Sequence, residues 1–280
     1  MITLIKRIAY ILFFFCQFLK PFVSQGQSIN GATDEKYYFE VKQIEDFIDR
    51  FNFSPQSSFI KYYSKNYPNA KLNRTDLIKT LFYREGMKKK SLDTLKKFLA
   101  LVTNAKQPAY LSFYDKNWYA NLDCAFLLNG KPVNIKLVLE IQIDDEKTKA
   151  CRWVICGMKS ERLTFPEKID STKFISPSSH GTDFLALDKI LVDKKNIVSY
   201  FYSNFKPSNL TLFMDALQNE SLKFIQVNSV SYYFFQINDW IIEVNYKYNK
   251  SNYSGWLISR LLEMPEEDKD YFLYKNLGIQ

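Results

Sequence analysis

The sequence predicts an α+β protein of two tandem roll-like domains, each with helices packed on a curved four-stranded antiparallel sheet. Three observations lead there. Residues 137–158 and 240–261 align without a gap at an offset of 103 (243 − 140 = 103), with Glu140/Glu243, Lys147/Lys250, Trp153/Trp256 and Ile155/Ile258 identical. Most other pairs keep their character, as Val138/Ile241, Leu139/Ile242 and Val154/Leu257 do, so one supersecondary unit is used twice. Each window reads as two strands around a polar turn, and each follows a helical stretch. Finally, residues 161–181 carry Pro166, Pro177 and Ser176-Pro-Ser-Ser without periodicity, which marks a linker.

The first half, 36–160, opens with an amphipathic helix over Glu35 to Phe53, where Phe39, Ile44, Phe47, Ile48 and Phe51 recur near helical spacing. A shorter helix is expected over Leu77 to Arg84. Another runs from Leu92 to Val102, capped by Ser91. Strands follow at Tyr110–Tyr114, Trp118–Leu128, Val133–Ile143 and Lys149–Met158. Asn129-Gly130 is a strong hairpin turn, because both residues accept a positive φ.

The second half, 182–280, starts at Thr182, a plausible N-cap, and is helical to about Tyr202 and again over Ser208 to Asn219. Strands are expected at Lys223–Asn228, Ser231–Ile237, Trp240–Tyr248 and Ser254–Leu261. Pro265 then opens a terminal helix whose Tyr271, Phe272 and Tyr274 should pack down.

Residues 1–26 read as a signal peptide. Lys6 and Arg7 form a basic start, Ile8 to Leu19 is apolar, and Ser24 and Gly26 suit cleavage before Gln25 or Gln27. The apolar run is shorter than the roughly 20 residues of a membrane helix, so no span is expected after cleavage. Residues 27–35 read as disordered. Removing Lys6, Arg7 and Lys20 leaves 35 basic and 30 acidic residues, a net +5 rather than +8. The basic cluster at Arg84, Lys88, Lys89, Lys90, Lys96 and Lys97 reads as a solvated surface, and no nucleic-acid partner is expected. Secretion or a periplasmic location is the expectation.

The search for chemistry is mostly negative. Three cysteines remain, Cys124, Cys151 and Cys156, and an odd count makes no disulfide framework; all three read as small buried apolar residues. His180 is the only histidine, and it falls in the linker. No Cys-x-x-Cys, no His pair and no Gly-rich phosphate loop is present, so neither metal nor cofactor is expected.

Trp153 and Trp256 hold matched places in the last strand of each half and read first as repeated core anchors. With Trp118 and Trp240 they are also the candidate ligand- or partner-binding residues. The strand Ala150 to Met158 is apolar on both faces, so its second face should line a pocket or meet a partner.

Helices followed by an antiparallel meander, twice over, resemble tandem NTF2-like or cystatin-like domains of bacterial secreted proteins, across roughly residues 36–158 and 182–262. The likeness is architectural. Such folds serve as ligand pockets, assembly modules and occasional enzymes; with the leader and the two-faced strand, the expectation is an exported, non-catalytic binding or assembly module of the bacterial cell envelope, taking an apolar ligand or a protein partner. The likeness also implies one alternative, an acid–base enzyme of the isomerase, dehydratase or hydrolase type. There Asp123 with Tyr119, or Glu140, would act in a pocket beside Trp118, Leu137 and Phe126, where burial would raise a carboxylate's pKa.

Overall fold

The computed structural model describes residues 38–83, 89–145, 147–164, 200, 208–248 and 254–279. Four helices come first: α1 (Ile44–Asn52), α2 (Ser58–Asn66), α3 (Arg74–Thr80) and α4 (Lys89–Val102). Strands β1 (Trp118–Leu128), β2 (Lys131–Asp145) and β3 (Ala150–Ser160) follow. Helix α5 (Asn209–Gln218) precedes β4 (Leu222–Phe234), β5 (Trp240–Lys247) and β6 (Gly255–Glu263). The chain closes with α6 (Glu266–Phe272) and a π-helical turn, Leu273–Leu277.

All six strands lie in one antiparallel sheet in the order β3-β2-β1-β4-β5-β6. It consists of two meanders, β1-β2-β3 and β4-β5-β6, joined where β1 pairs β4. Cys124 lies opposite Val227 near the middle of that pair.

The antiparallel α+β class is as expected, but each half contributes three strands where four were expected. The segment Tyr110–Tyr114 is not a strand. Its backbone is held by side chains instead: Asn52 bonds both the N–H and the C=O of Leu111 (2.9 and 2.6 Å), and Gln236 does the same for Ser112 (2.9 and 2.8 Å). Conversely, the two short strands expected at Lys223–Asn228 and Ser231–Ile237 are one continuous β4. Strand β4 runs on through Asn228 because β1 pairs Ser229 and Val227 on either side of it, Asn228 being passed over at the irregularity between Asp123 and Cys124.

Tight and loose turns make the halves unequal. Asn129 and Gly130 both adopt positive φ (50° and 76°), so β1 and β2 pair along almost all of β1. The longer connection Phe235–Asp239 lets β5 pair only Ser231–Phe234 of β4. Lys223 to Val230 therefore has no partner on that side among the described residues, and Phe224, Ile225 and Val227 are exposed there. The last hairpins differ too. Trp153 faces Ile141, whereas Trp256 faces Tyr246, two residues beyond the repeat equivalent Val244. A slip of two preserves the face on which each side chain stands.

One sheet face carries the main core. Helices α1, α3 and α4 bring Phe47, Phe51, Ile78, Leu81 and Phe98 down onto Trp118, Phe234, Trp240, Ile242 and Val244. Along the same face, α5 sets Phe213 and Ala216 against Phe126, Ile135 and Leu137. The other face is covered by α6 and its π turn, where Phe272 and Leu277 pack on Tyr119, Val138, Phe235 and Ile241. Lys269 is buried there and donates to the carbonyls of Phe235 and Ile237 (2.9 and 2.8 Å). Of the terminal aromatics expected to pack down, only Phe272 does; Tyr271 and Tyr274 are exposed.

The helices depart from expectation at their ends. Helix α1 begins at Ile44 because Val41 is extended and bridges Gly255 at the edge of β6. Arg50, 1% exposed, ties the preceding turn to α1 by donating to the carbonyls of Tyr38, Phe39 and Glu40 and to Asp46. Helix α3 ends at Thr80, before Arg84. Helix α4 spans Lys89–Val102, so Ser91 falls inside it. Ser208 caps α5 as its hydroxyl accepts from the Thr211 N–H (3.2 Å). The linker expected over 161–181 and the helix from Thr182 to Tyr202 lie almost wholly outside the described residues, as do residues 1–37 and His180.

Candidate functional site

The residues that lead into α1 are brought to the sheet by the edge of β6. Val41 N–H donates to the Ser254 carbonyl and Trp256 N–H donates to the Val41 carbonyl, both at 2.9 Å. The close approach needs Gly255, whose φ is +102° and at which a Cβ would sit 2.1 Å from the Val41 oxygen. This clamp puts Lys42 and Glu45 over the aromatic end of the sheet.

That end is arranged around a buried indole. Trp118, 1% exposed, lies against Phe113 (ring centroids 5.3 Å), Trp153 (5.1 Å, 75°) and Phe234 (5.2 Å, 3°). Its Nε1–H donates to the Phe113 carbonyl (3.0 Å), which fixes that loop residue. Tyr232 stands between the two repeat-matched tryptophans, 6.4 Å from Trp153 and 4.8 Å from Trp256. Tyr246 packs edge-on to Trp256 (5.6 Å, 84°), and its hydroxyl donates to Glu40 (2.5 Å).

Together these groups bound a pocket of about 300 Å³. One wall is aromatic, made by Phe113, Trp153, Tyr232 and Trp256. The other is the polar start of α1, with Lys42, Gln43 and Glu45. Trp153 is 38% exposed, so its ring is open to solvent and is not the sealed core anchor that its place in the repeat suggests. Burial raises the pKa of the Tyr232 hydroxyl, and the nearby Glu45 carboxylate raises it further, so the phenol keeps its proton and can donate.

Of the four tryptophans singled out by sequence, Trp118, Trp153 and Trp256 belong to this cluster, Trp118 as its buried support. Trp240 is 4% exposed and packs on Phe98 in the core. Phe113, Tyr232, Lys42 and Glu45 carried no sequence signal beyond general aromatic density, since they come from a loop, a middle strand and a helix start.

Asp123, Tyr119 and Glu140 lie on the other face. Strand alternation points Trp118 and Phe126 of β1 toward the main core and Tyr119 and Asp123 away from it, so the expected apolar surround for Asp123 is absent. Asp123 accepts from the Asn228 amide (3.3 Å) and lines a separate pocket of about 710 Å³ with Lys136, Lys159, Glu161 and Arg162. Tyr119 is buried beneath α6; burial, with Glu140, Cys156 and Asp270, pushes its pKa up to about 12. Cys156 is likewise pushed up to about 12, chiefly by burial and then by Glu140. Glu243, the repeat mate of Glu140, pairs with Arg260 (3.7 Å) and accepts from Asn245 (2.9 Å).

Among the described residues, no group of three or more His, Cys, Asp or Glu could hold a metal ion. No helix among them is long and apolar enough to cross a membrane. Comparisons with protein-family models, with curated proteins and with solved structures find no match to this chain.

Proposed function

We propose that this chain is an exported, non-catalytic binding module of the bacterial cell envelope, with the aromatic pocket as its ligand site. One observation carries the reading. Trp153 and Trp256, equivalent by repeat, come from the two opposite edge strands and converge on Tyr232 where the pocket opens. Large aromatic side chains left open at a concave site are covered when a ligand enters, at about 25 cal/mol per Å² of apolar area removed from water. The basic and apolar start of the sequence supports export, and the helices-then-meander order of each half supports descent from a duplicated NTF2-like or cystatin-like roll.

The experiment is native mass spectrometry of the protein exported by its own host, compared with Trp153→Ala. A non-covalent adduct that leaves on activation, and is missing from the variant, is the expected result. An adduct-free wild type that also fails to bind the apolar dye ANS would sink the ligand reading.

A protein partner is the second reading, favoured by the edge of β4 that no described residue pairs. Between Phe224 and Val230 it bears no charge and no proline, the devices that usually keep an unpaired edge from accepting another strand. Crosslinking from Ile225 in the envelope, reduced by Val227→Lys, would support it; a crosslink pattern unchanged by that substitution would count against it.

A further inference from the structure

The two walls of the aromatic pocket differ in a way that specifies ligand chemistry. On the sheet side, Phe113, Trp153, Tyr232 and Trp256 offer ring surface. On the helix side stand a cationic donor, an amide and a carboxylate: Lys42, Gln43 and Glu45. The side chains of Gln43 and Glu45 are exposed and make no hydrogen bond or ion pair among the described residues. Gln43 stands at the N-cap of α1 yet leaves that helix uncapped by its side chain. Asp46, by contrast, is engaged by Arg50 at 2.7 Å. The formal charges of Lys42 and Glu45 cancel, so neither a simple anion nor a simple cation is favoured.

A purely apolar ligand would use only the aromatic wall and leave the amide and carboxylate at its rim to water. The pocket instead suits a molecule with one apolar face and a rim of groups that both donate and accept. A pyranose ring is built that way. Its C–H face packs on an aromatic ring while its hydroxyls reach an acceptor, Glu45, and a group that both donates and accepts, Gln43. The volume of about 300 Å³ suits a mono- or disaccharide.

We propose that the pocket binds a saccharide, stacked on Trp153 or Trp256 and hydrogen-bonded through Gln43 and Glu45. This rests on the aromatic pocket being the ligand site. The saccharide is either a free sugar or the end of a glycan chain, and the two sources share the same contacts.

The test uses the full exported protein on a glycan array, followed by tryptophan-fluorescence titration with methyl β-glucoside, N-acetylglucosamine, cellobiose and the strongest array binder, with ANS as the apolar probe. The expected result is saturable saccharide binding that weakens about tenfold in Trp153→Ala, equal to about 1.4 kcal/mol. A smaller loss is expected in Glu45→Gln, whose fold circular dichroism should report as unchanged. Binding by the free disaccharide assigns a small sugar; binding only on the array assigns a chain end. ANS binding that depends on Trp153, with no saccharide bound anywhere on the array, overturns the saccharide while leaving the pocket as a ligand site. Saccharide binding untouched by both substitutions overturns it by placing the sugar elsewhere, and no binding of either probe overturns pocket and saccharide together.

Discussion

Trp118 and Phe234 are cross-strand partners at the β1–β4 seam, their rings stacked at 5.2 Å and 3° from parallel. The pair joins the two meanders and also supports the pocket, since the other side of Trp118 holds Trp153 and Phe113. Trp118→Ala removes a fully buried indole and should cost about 3–5 kcal/mol. Trp118→Phe keeps the stack and loses the bond to the Phe113 carbonyl, at about 1 kcal/mol. Urea unfolding of both variants checks the order. Equal losses would mean that the hydrogen bond, and not the stack, holds the seam.

A second prediction concerns Gly255. At φ +102°, and with the Val41 oxygen 2.1 Å from any Cβ, Gly255→Ala must break the bridge that brings Lys42 and Glu45 over the sheet. Gly130 also has positive φ, +76°, yet open space around it, so Gly130→Ala suffers only the backbone penalty of about 1–2 kcal/mol. Thermal melts should show the larger loss for Gly255→Ala. That variant alone should change the accessibility of Trp256 to acrylamide quenching, and matched behaviour of the two would refute the clamp.

How far such features could be read beforehand depended on where their partners lie. Trp118–Leu128 was legible to the residue because its alternation and the Asn129-Gly130 turn are both local. The continuity of β4 was not. Asn228 looks like a break in a short window, and its bond to Asp123 comes from 105 residues away. Helix α2 escaped notice because few of its side chains are apolar and buried, namely Phe59 and Ile60, and part of its packing is the ring stack of Tyr62 on Tyr38 at 4.2 Å. The repeat singled out Trp153 and Trp256. It could not reveal that both meet Tyr232, because that depends on β1 pairing with β4 and not on either half alone.

The cysteines give a third prediction. Cys151 is exposed, Cys124 is buried with a raised pKa, and Cys156 is pushed up to about 12. Only the thiolate reacts, so of these three described thiols Cys151 alone should react quickly with DTNB at pH 8, and Cys151→Ser should remove that phase. Buried Cys124 should react only as fast as the protein unfolds, and half-buried Cys156 more slowly than Cys151. A Cys156 that reacts as fast as Cys151 in native protein would show that burial does not hold its proton.

Alkaline stability follows from Tyr119 and Tyr233. Burial comes first among the causes for each, and both are pushed from 10.0 up to about 12. A phenol whose folded pKa is raised binds its proton more tightly in the native state. Its contribution is fully present below pH 10, where both states are protonated, and it is lost as pH rises toward 12, where the unfolded chain ionises first. Melting temperature should therefore hold between pH 8 and 9.5, as far as these two groups govern it, and fall progressively above pH 10. Tyr119→Phe should flatten that decline, because the substituted ring has no proton to lose. Tyr246, exposed and bonded to Glu40, serves as the contrast, and Tyr246→Phe should leave most of the slope in place. A melting curve whose alkaline slope is the same in Tyr119→Phe as in the wild type would show that the cover of α6 over Tyr119 is not what holds its proton.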